Sequence, residues 1–436
     1  MITNKNVGVI SLGCDKNRVD TEKMLYILSQ RHNIVSDVES AQIIIVNTCG
    51  FLEASRKEAI EETFYAIGLK QSGVEKVIVT GCLPQKFIGD IYNALPEVDA
   101  FLGVSDYDRI LDIIDEIYLD KRVNAVGTPK GECGIGRMLT TNAYAYLKIA
   151  DGCSNHCTYC LIPKIRGAFR SVPLRDLIEE AKGLKDLSEL ILVAQDTARY
   201  GSDLGNVSLV DLIRELSKLS NVKKIRLLYC YPENITDELI SEIKNNQKVI
   251  HYLDMPLQHA DDRILKLMNR KGTGMGYLGL IEKLRKEIPD IAIRSTFITG
   301  FPTEDDIAFD NLVEFIKKAK LTNAGFFKYS REEGTAAARL DGQVAQSIKH
   351  KRFRKLYAIQ KQVAKDNNKQ YKGKTIEVLA EGFDSDMLVY YGRAYFSAPD
   401  IDGKVYFFSD EPIEYGKYYQ IKIKKTSDYD LYGEKV

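Results

Sequence analysis

An α/β protein in three parts is the fold that the sequence predicts. It has an N-terminal parallel βαβ domain over residues 1–125, a central partial (β/α)6 barrel over 140–370 and a small all-β barrel over 371–436. Three observations predict it. Continuous β-branched runs alternate with helical patterns through the first part, as buried parallel strands do. The same rhythm resumes on a larger scale after Ala143. From Thr375 the pattern changes to alternating apolar and polar residues, with Gly382, Gly392, Gly403 and Gly416 at turns, which suits a small barrel.

Composition narrows the class. The chain has 436 residues, with 61 Lys+Arg against 61 Asp+Glu, so no overall field draws it to nucleic acid or membrane. With 44% hydrophobic and 28% charged residues it reads as an ordinary globular protein. Its start, Met1-Ile-Thr-Asn-Lys-Asn, lacks the basic and apolar regions of a signal peptide. No apolar run approaches the ~20 residues that cross a bilayer. The expected compartment is therefore the cytoplasm, with no membrane partner. Eight cysteines there point to metal or redox chemistry rather than disulfides.

In the first part, Val7–Leu12, Ile43–Val46 and Lys76–Thr80 read as strands. Helical patterns follow over Asp20–Gln30, over Glu53–Leu69 and beyond Pro84. Cys14, Cys49 and Cys82 each lie within a few residues of a strand's carboxyl end, the edge where such sheets bind ligands. Right-handed crossovers place the three ends on one edge, so the thiols should converge on one thiolate-bound centre. Gly13, Gly50 and Gly81 would let the backbone approach an inorganic core. The plain alternative is three small residues capping strands.

Residues 120–142 carry Gly127, Gly131, Gly134, Gly136 and Pro129, a linker composition, and Cys133 within them reads as incidental. Beyond it, strands are predicted at Tyr144–Ala150, Glu189–Ala194, Lys224–Tyr229, Val249–Asp254, Ile291–Ile298 and Ala324–Tyr329. Helices such as Leu174–Leu187 and Leu209–Leu219 lie between them. Six βα units are too few to close an eight-fold barrel, and functional groups on such a scaffold sit at the carboxyl ends of strands. Polar candidates there are Gln195, Asp196, Gln258, His259, Arg294 and Ser295, any of which could simply cap a helix. Gly300-Phe-Pro-Thr303 could line a pocket, and Cys230 is packing or lining.

The loop after the first of these strands is Cys153-Ser-Asn-His-Cys157-Thr-Tyr-Cys160. Three thiols at this spacing can grip one compact iron–sulfur centre and leave a ligand position open. Zinc is the alternative, because a structural zinc site takes four ligands and His156 lies among the cysteines.

Cys153-x3-Cys157-x2-Cys160, with Tyr159 before the last cysteine, resembles the signature of the radical S-adenosylmethionine (SAM) superfamily. Ser11-Leu-Gly-Cys14-Asp-Lys-Asn-Arg-Val-Asp20, Asn47-Thr-Cys49-Gly-Phe and Thr80-Gly-Cys82-Leu resemble its methylthiotransferases. Ala150-Asp-Gly-Cys153, Ile162-Pro-Lys-Ile-Arg166-Gly, Gln195-Asp-Thr-Ala-Arg-Tyr-Gly201, Pro256-Leu-Gln-His259 and Ser330-Arg-Glu-Glu-Gly-Thr335 resemble the branch that modifies ribosomal protein S-twelve. Phe301-Pro-Thr303-Glu departs from the pattern, which has glycine where Thr303 stands.

The resemblance implies a [4Fe–4S] cluster on Cys153, Cys157 and Cys160 whose free iron chelates SAM, and a second [4Fe–4S] cluster on Cys14, Cys49 and Cys82. It implies no catalytic residues beyond these ligands, and Gln195, Gln258 and Arg294 are the expected SAM contacts by their place at strand ends. It further implies methylthiolation at the β-carbon of one aspartate in ribosomal protein S-twelve, free or on the small ribosomal subunit. Such chemistry also needs a cellular electron donor. The C-terminal barrel corresponds to a TRAM domain.

Its charge bears on the substrate. Residues 371–436 hold twelve Asp+Glu and nine Lys+Arg, whereas a nucleic-acid grip needs a positive surface. A protein target is favoured over the tRNA adenosine of the related MiaB branch. A non-catalytic iron–sulfur electron carrier is a further alternative, and it would need a fourth ligand on each cluster. Tyr390, Tyr391, Tyr395, Tyr406, Tyr415, Tyr418 and Tyr419 could anchor a protein or stack on bases. The preceding helix, Ala345–Tyr371, is rich in Lys and Arg and reads as a solvated face or a contact with ribosomal RNA.

Overall fold

Six parallel strands form the N-terminal sheet: β1 (Asn6–Ser11), β2 (Asn33–Ile34), β3 (Ile43–Thr48), β4 (Lys76–Gly81), β5 (Ala100–Leu102) and β6 (Val123–Ala125), in the order β2-β1-β3-β4-β5-β6. This computed structural model describes residues 1–130, 136–141, 143–185 and 187–436; Gly131, Cys133 and Gly134 lie outside the described residues. The apolar run in β3 is continuous because each face meets its own core. Ile43 and Ile45 pack with Met24, Leu28 and Ile114 on one side, and Ile44 and Val46 with Ala59, Ala66 and Leu83 on the other.

Three corrections apply here. β2, β5 and β6 have two or three residues each, too few to show a period, and β6 falls inside the predicted linker. The first helix begins at Asp15 rather than Asp20, and the third begins at Cys82 itself, with Pro84 tolerated in its first turn. Arg137 pins the connection, pairing with Glu22 of the first helix and with Glu180 at 3.0 Å.

The central sheet runs β7 (Tyr144–Lys148), β10 (Glu189–Val193), β11 (Ile225–Leu227), β12 (Val249–Asp254), β13 (Ala292–Thr299) and β14 (Asn323–Lys328), all parallel and in chain order. Between the first two of these strands, β8 (Ala150–Asp151) and β9 (Arg170–Ser171) form an antiparallel pair. The third strand stops at Leu227 rather than Tyr229. Tyr229 takes a left-handed backbone (φ 58°), and its N–H goes to the Asp254 carboxylate instead of the ladder.

Strands β15 (Thr375–Asp384), β16 (Val389–Arg393), β17 (Val405–Phe408), β18 (Tyr418–Thr426) and β19 (Leu431–Lys435) close into a barrel in the order β15-β16-β17-β19-β18. That barrel shares a core with the central sheet. Alternate residues Tyr144, Tyr146, Ile191, Val193, Ile250 and Tyr252 pack with Val378, Leu379 and Phe396. Their neighbours Ala145, Leu147, Leu190 and Leu192 face the helices. Ions cross the same seam: Glu189 lies between Arg226 and Arg393, and Arg393 also pairs with Glu381.

The basic helix spans Gln346–Asn368, and neither expectation for it holds along its whole length. Lys349 and Arg352 turn inward, Lys349 donating to the Tyr329 carbonyl at 2.9 Å and Arg352 to Glu304 at 2.8 Å. Lys361 pairs with Asp428 of the C-terminal barrel at 2.9 Å. Lys351, Arg354 and Lys365 remain exposed.

Candidate active site

Parallel registry sets the first group of thiols. Ile10 of β1 pairs with Val46 of β3, and Val46 with Val79 of β4, so the three strands end together. Cys14 then caps the first helix and Cys82 opens the third.

The loops touch. A Cβ on Gly13 (φ +90°) would fall 2.9 Å from the Cys49 Cβ, and one on Gly50 would fall 2.7 Å from the Cys82 carbonyl oxygen. These glycines therefore bring the cysteine loops against one another, a closer reason for them than contact with an inorganic core. The Asn17 side chain ties the loops together, donating to the carbonyls of Leu12 (3.1 Å) and Thr48 (3.0 Å). Its Oδ1 lies 3.9 Å from Cys82 Sγ.

The second group sits on the loop between β8 and β9. The Cys153 N–H donates to Gly167 (3.1 Å), the Cys160 N–H to Cys157 (3.0 Å) and the Thr158 N–H to Met268 (3.1 Å). The N–H of Ile162 reaches Cys160 Sγ at 3.4 Å. His156 is an exposed loop residue (φ 51°) whose carbonyl accepts from Asn269.

The two groups meet at one seam. Cys82, one of the first thiols, and Phe51, two residues after Cys49, pack with Leu161 and Ile165, one and five residues after Cys160. Next to this apolar patch lies a buried ionic cluster. Arg166 donates to Asp151 (2.9 Å), Asp20 (3.0 Å) and Asn17 (2.6 Å), and Lys148 pairs with Asp20. Strand-period reasoning passed over these charges. The signal was present: Lys148 interrupts an apolar strand, and a buried charge needs a partner.

Burial pushes the Cys82 and Cys160 thiols up to about 12 and Cys153 up to about 11, and neighbouring thiols add to each shift. Thiols this reluctant to ionise become thiolates against a bound cation, and soft sulfur donors suit iron–sulfur clusters. Both triads fit such a group by donor type. Among the described residues no three Cys, His, Asp or Glu side chains stand at the spacing of a single-ion site.

The other predicted residues separate. Gln195 donates to Asp151 at 3.1 Å, and its Oε1, like Oδ1 of Asp196, is buried with no partner. Both orphan acceptors lie at the end of β10, near the cysteine loop, since Asp196 accepts from Asn155 at 3.0 Å. Gln258 has a left-handed backbone (φ 79°) and bridges to Phe297. Asp254 (3.1 Å) and Asp402 of the C-terminal barrel (3.3 Å) hold the Arg294 guanidinium. His259 is fully buried against Glu304 at 3.1 Å, Ser295 accepts the Leu257 N–H, and Cys230 lies in the core.

Curated relatives carry one name over nearly the whole chain. "Ribosomal protein uS12 methylthiotransferase RimO" of Acetivibrio thermocellus is 46% identical over 444 residues, covering 99% of this chain and 98% of that protein. Its namesake in Thermoanaerobacter sp. is 45% identical over 437 residues, covering 99% and 100%. The chain belongs to the RimO family.

Membership makes it a radical SAM methylthiotransferase by family, and the family implies a [4Fe–4S] cluster and SAM. Family profiles divide the chain as its sheets do. "Uncharacterized protein family UPF0004" matches residues 6–103, the radical SAM superfamily 147–316 and the TRAM domain 373–436. Among solved structures, the radical SAM methyltransferase TsrM from Kitasatospora setae covers 75% of each chain with a TM-score of 0.57 at 12% identity. The cobalamin-dependent radical enzyme OxsB covers 82% of this chain and 56% of its own, with a TM-score of 0.52 at 10% identity. Both likenesses concern the fold. Among the described residues no helix is long and apolar enough to cross a membrane.

Proposed function

We propose that this chain transfers a methylthio group to the β-carbon of an aspartate in ribosomal protein S-twelve, in the cytoplasm, using two [4Fe–4S] clusters and SAM. One observation supports the reading: Cys82 packs with Leu161 and Ile165 of the segment after Cys160, and Arg166 in that segment bonds both Asp151, before Cys153, and Asn17, on the helix that Cys14 caps. Cys153, Cys157 and Cys160 would hold the SAM cluster, and Cys14, Cys49 and Cys82 the auxiliary one. When bound, these groups supply the radical that removes a hydrogen, the sulfur that replaces it and the methyl group, with one electron from a cellular donor.

The chain's own residues position and exclude. The Gln195 and Asp196 acceptors, orphaned at a strand end, suit the hydroxyl and ammonium donors of SAM. Gln258 stands at another strand end, and Arg294 also braces the C-terminal barrel through Asp402. The packing of Phe51, Leu161 and Ile165 around the seam keeps water from it.

A basic ribosomal protein suits the C-terminal barrel better than tRNA does. The barrel's acidic residues exceed its basic ones, and Arg393 is withdrawn into buried ion pairs.

The test is anaerobic reaction of reconstituted protein with SAM, a reductant, ribosomal protein S-twelve and tRNA, read by mass spectrometry. A methylthio group on an aspartate is expected; a modified tRNA base with an unmodified ribosomal protein overturns the reading. Cys157→Ala should abolish 5′-deoxyadenosine formation. Cys49→Ala should leave that cleavage in place while stopping sulfur insertion, and a Cys49→Ala protein that still methylthiolates removes the auxiliary role.

A further inference from the structure

We propose that Arg166 is a positioning residue that fixes the separation of the two cysteine triads, and so couples radical formation to sulfur delivery. The inference rests on the reading above and adds a role for a residue outside both ligand sets.

Arg166 is 1% exposed, and its planar fork reaches both sides of the seam. On the SAM side, Nη1 donates to Asp151 at 2.9 Å, two residues before Cys153. The carbonyl of the next residue, Gly167, accepts the Cys153 N–H at 3.1 Å. On the other side, Nη2 donates to Asn17 Oδ1 at 2.6 Å and to Asp20 Oδ2 at 3.0 Å, both on the helix that Cys14 caps. Asn17 in turn holds the carbonyls of Leu12 and Thr48, which lead to Cys14 and Cys49, and touches Cys82 Sγ.

One guanidinium thus joins the backbone around Cys153 to a side chain that fastens all three N-terminal cysteine loops. Apolar packing alone could seal the seam but would let the two bodies slide, because it has no direction. A charged fork with three acceptors at set angles does not permit that. A lysine ammonium keeps the charge without the fork, so the two properties can be tested apart.

The experiment compares wild type with Arg166→Lys, Arg166→Gln and Asp20→Asn, each reconstituted anaerobically and assayed for iron and sulfide. Two readouts follow: pulsed electron paramagnetic resonance of the dithionite-reduced protein, for the magnetic coupling between clusters, and 5′-deoxyadenosine formed per methylthiolated product. The Lys and Gln variants are expected to show a changed, broadened coupling. Their 5′-deoxyadenosine per product should rise on the order of 100-fold, as expected for misplacement by about 1 Å. Asp20→Asn should shift both in the same direction by less.

If the Gln variant does not take up iron, the Lys and Asp20→Asn proteins decide. Fully loaded variants with wild-type coupling and wild-type ratio overturn the role of Arg166. Absence of product from wild type itself overturns the proposed reaction instead.

Discussion

Thr303 stands where the family pattern has glycine, and its backbone explains the pattern. It sits in the left-handed region (φ 66°), which costs a residue bearing a Cβ roughly 1–2 kcal/mol. Thr303→Gly should therefore stabilise the protein by about 1 kcal/mol, less what is lost with the exposed 3.2 Å contact from Arg263 to its hydroxyl. Denaturant melts of the two proteins measure it. The neighbouring Glu304 is a hub, accepting from His259, Thr299, the Gly300 N–H and Arg352. Burial by itself would raise its carboxyl, but those donors and the Arg352 charge outweigh it and leave the group below its ordinary value. A lowered folded-state value means the stabilisation is complete above the ordinary carboxylate range and is lost as pH falls through the folded value. Glu304→Gln should cost about 3–5 kcal/mol near neutrality. The difference from wild type should shrink on acidification, which thermal melts from neutral to acid pH would follow; a constant gap contradicts the assignment.

Among elements, the cysteine loops behave as a unit because the strand ends are in register and the loops interlock. Gly50→Ala places a Cβ against the Cys82 backbone, which cannot yield as a side-chain tip can. The expected result is loss of the N-terminal cluster alone, so iron per chain after reconstitution should fall by about half if each triad holds one four-iron cluster. Full iron loading would show that the loops tolerate separation. The long basic helix teaches a related lesson. Its charge density suggested one solvated or RNA-facing surface, yet Lys349 and Arg352 are structural and Lys361 clamps the C-terminal barrel. Charge counted along a helix carries no information about which side each residue faces.

For the whole molecule, the C-terminal barrel is part of the central core rather than an appendage. If the barrel served only to hold substrate, removing residues 371–436 would leave the central sheet undisturbed. Instead it would bare Tyr144, Tyr146, Ile191, Val193, Ile250 and Tyr252 and deprive Glu189 of Arg393, Arg226 of the Tyr395 carbonyl and Arg294 of Asp402. The truncated chain should be insoluble or bind hydrophobic dyes, and Arg393→Ala in the full chain should cost about 3–5 kcal/mol by leaving Glu189 buried beside one cation instead of two. A soluble truncation with native iron content contradicts this packing. Substrate capture is therefore better probed by surface substitutions such as Tyr415→Ala, at an exposed ring outside the shared core.

The sequence by itself determined the three-part order, the parallel sheets and the six ligand candidates, because strand periods and cysteine spacings are local properties that survive without coordinates. Even the convergence of Cys14, Cys49 and Cys82 followed from chain direction alone. Only the tertiary structure decided what lies between the triads. Arg166, Asp20, Lys148 and Asp151 are scattered over more than a hundred residues and follow no period. Their meaning comes from mutual burial, where each charge is tolerable only beside the others. The same holds for Arg294 and Asp402, which bind barrel to sheet through partners that no local pattern links.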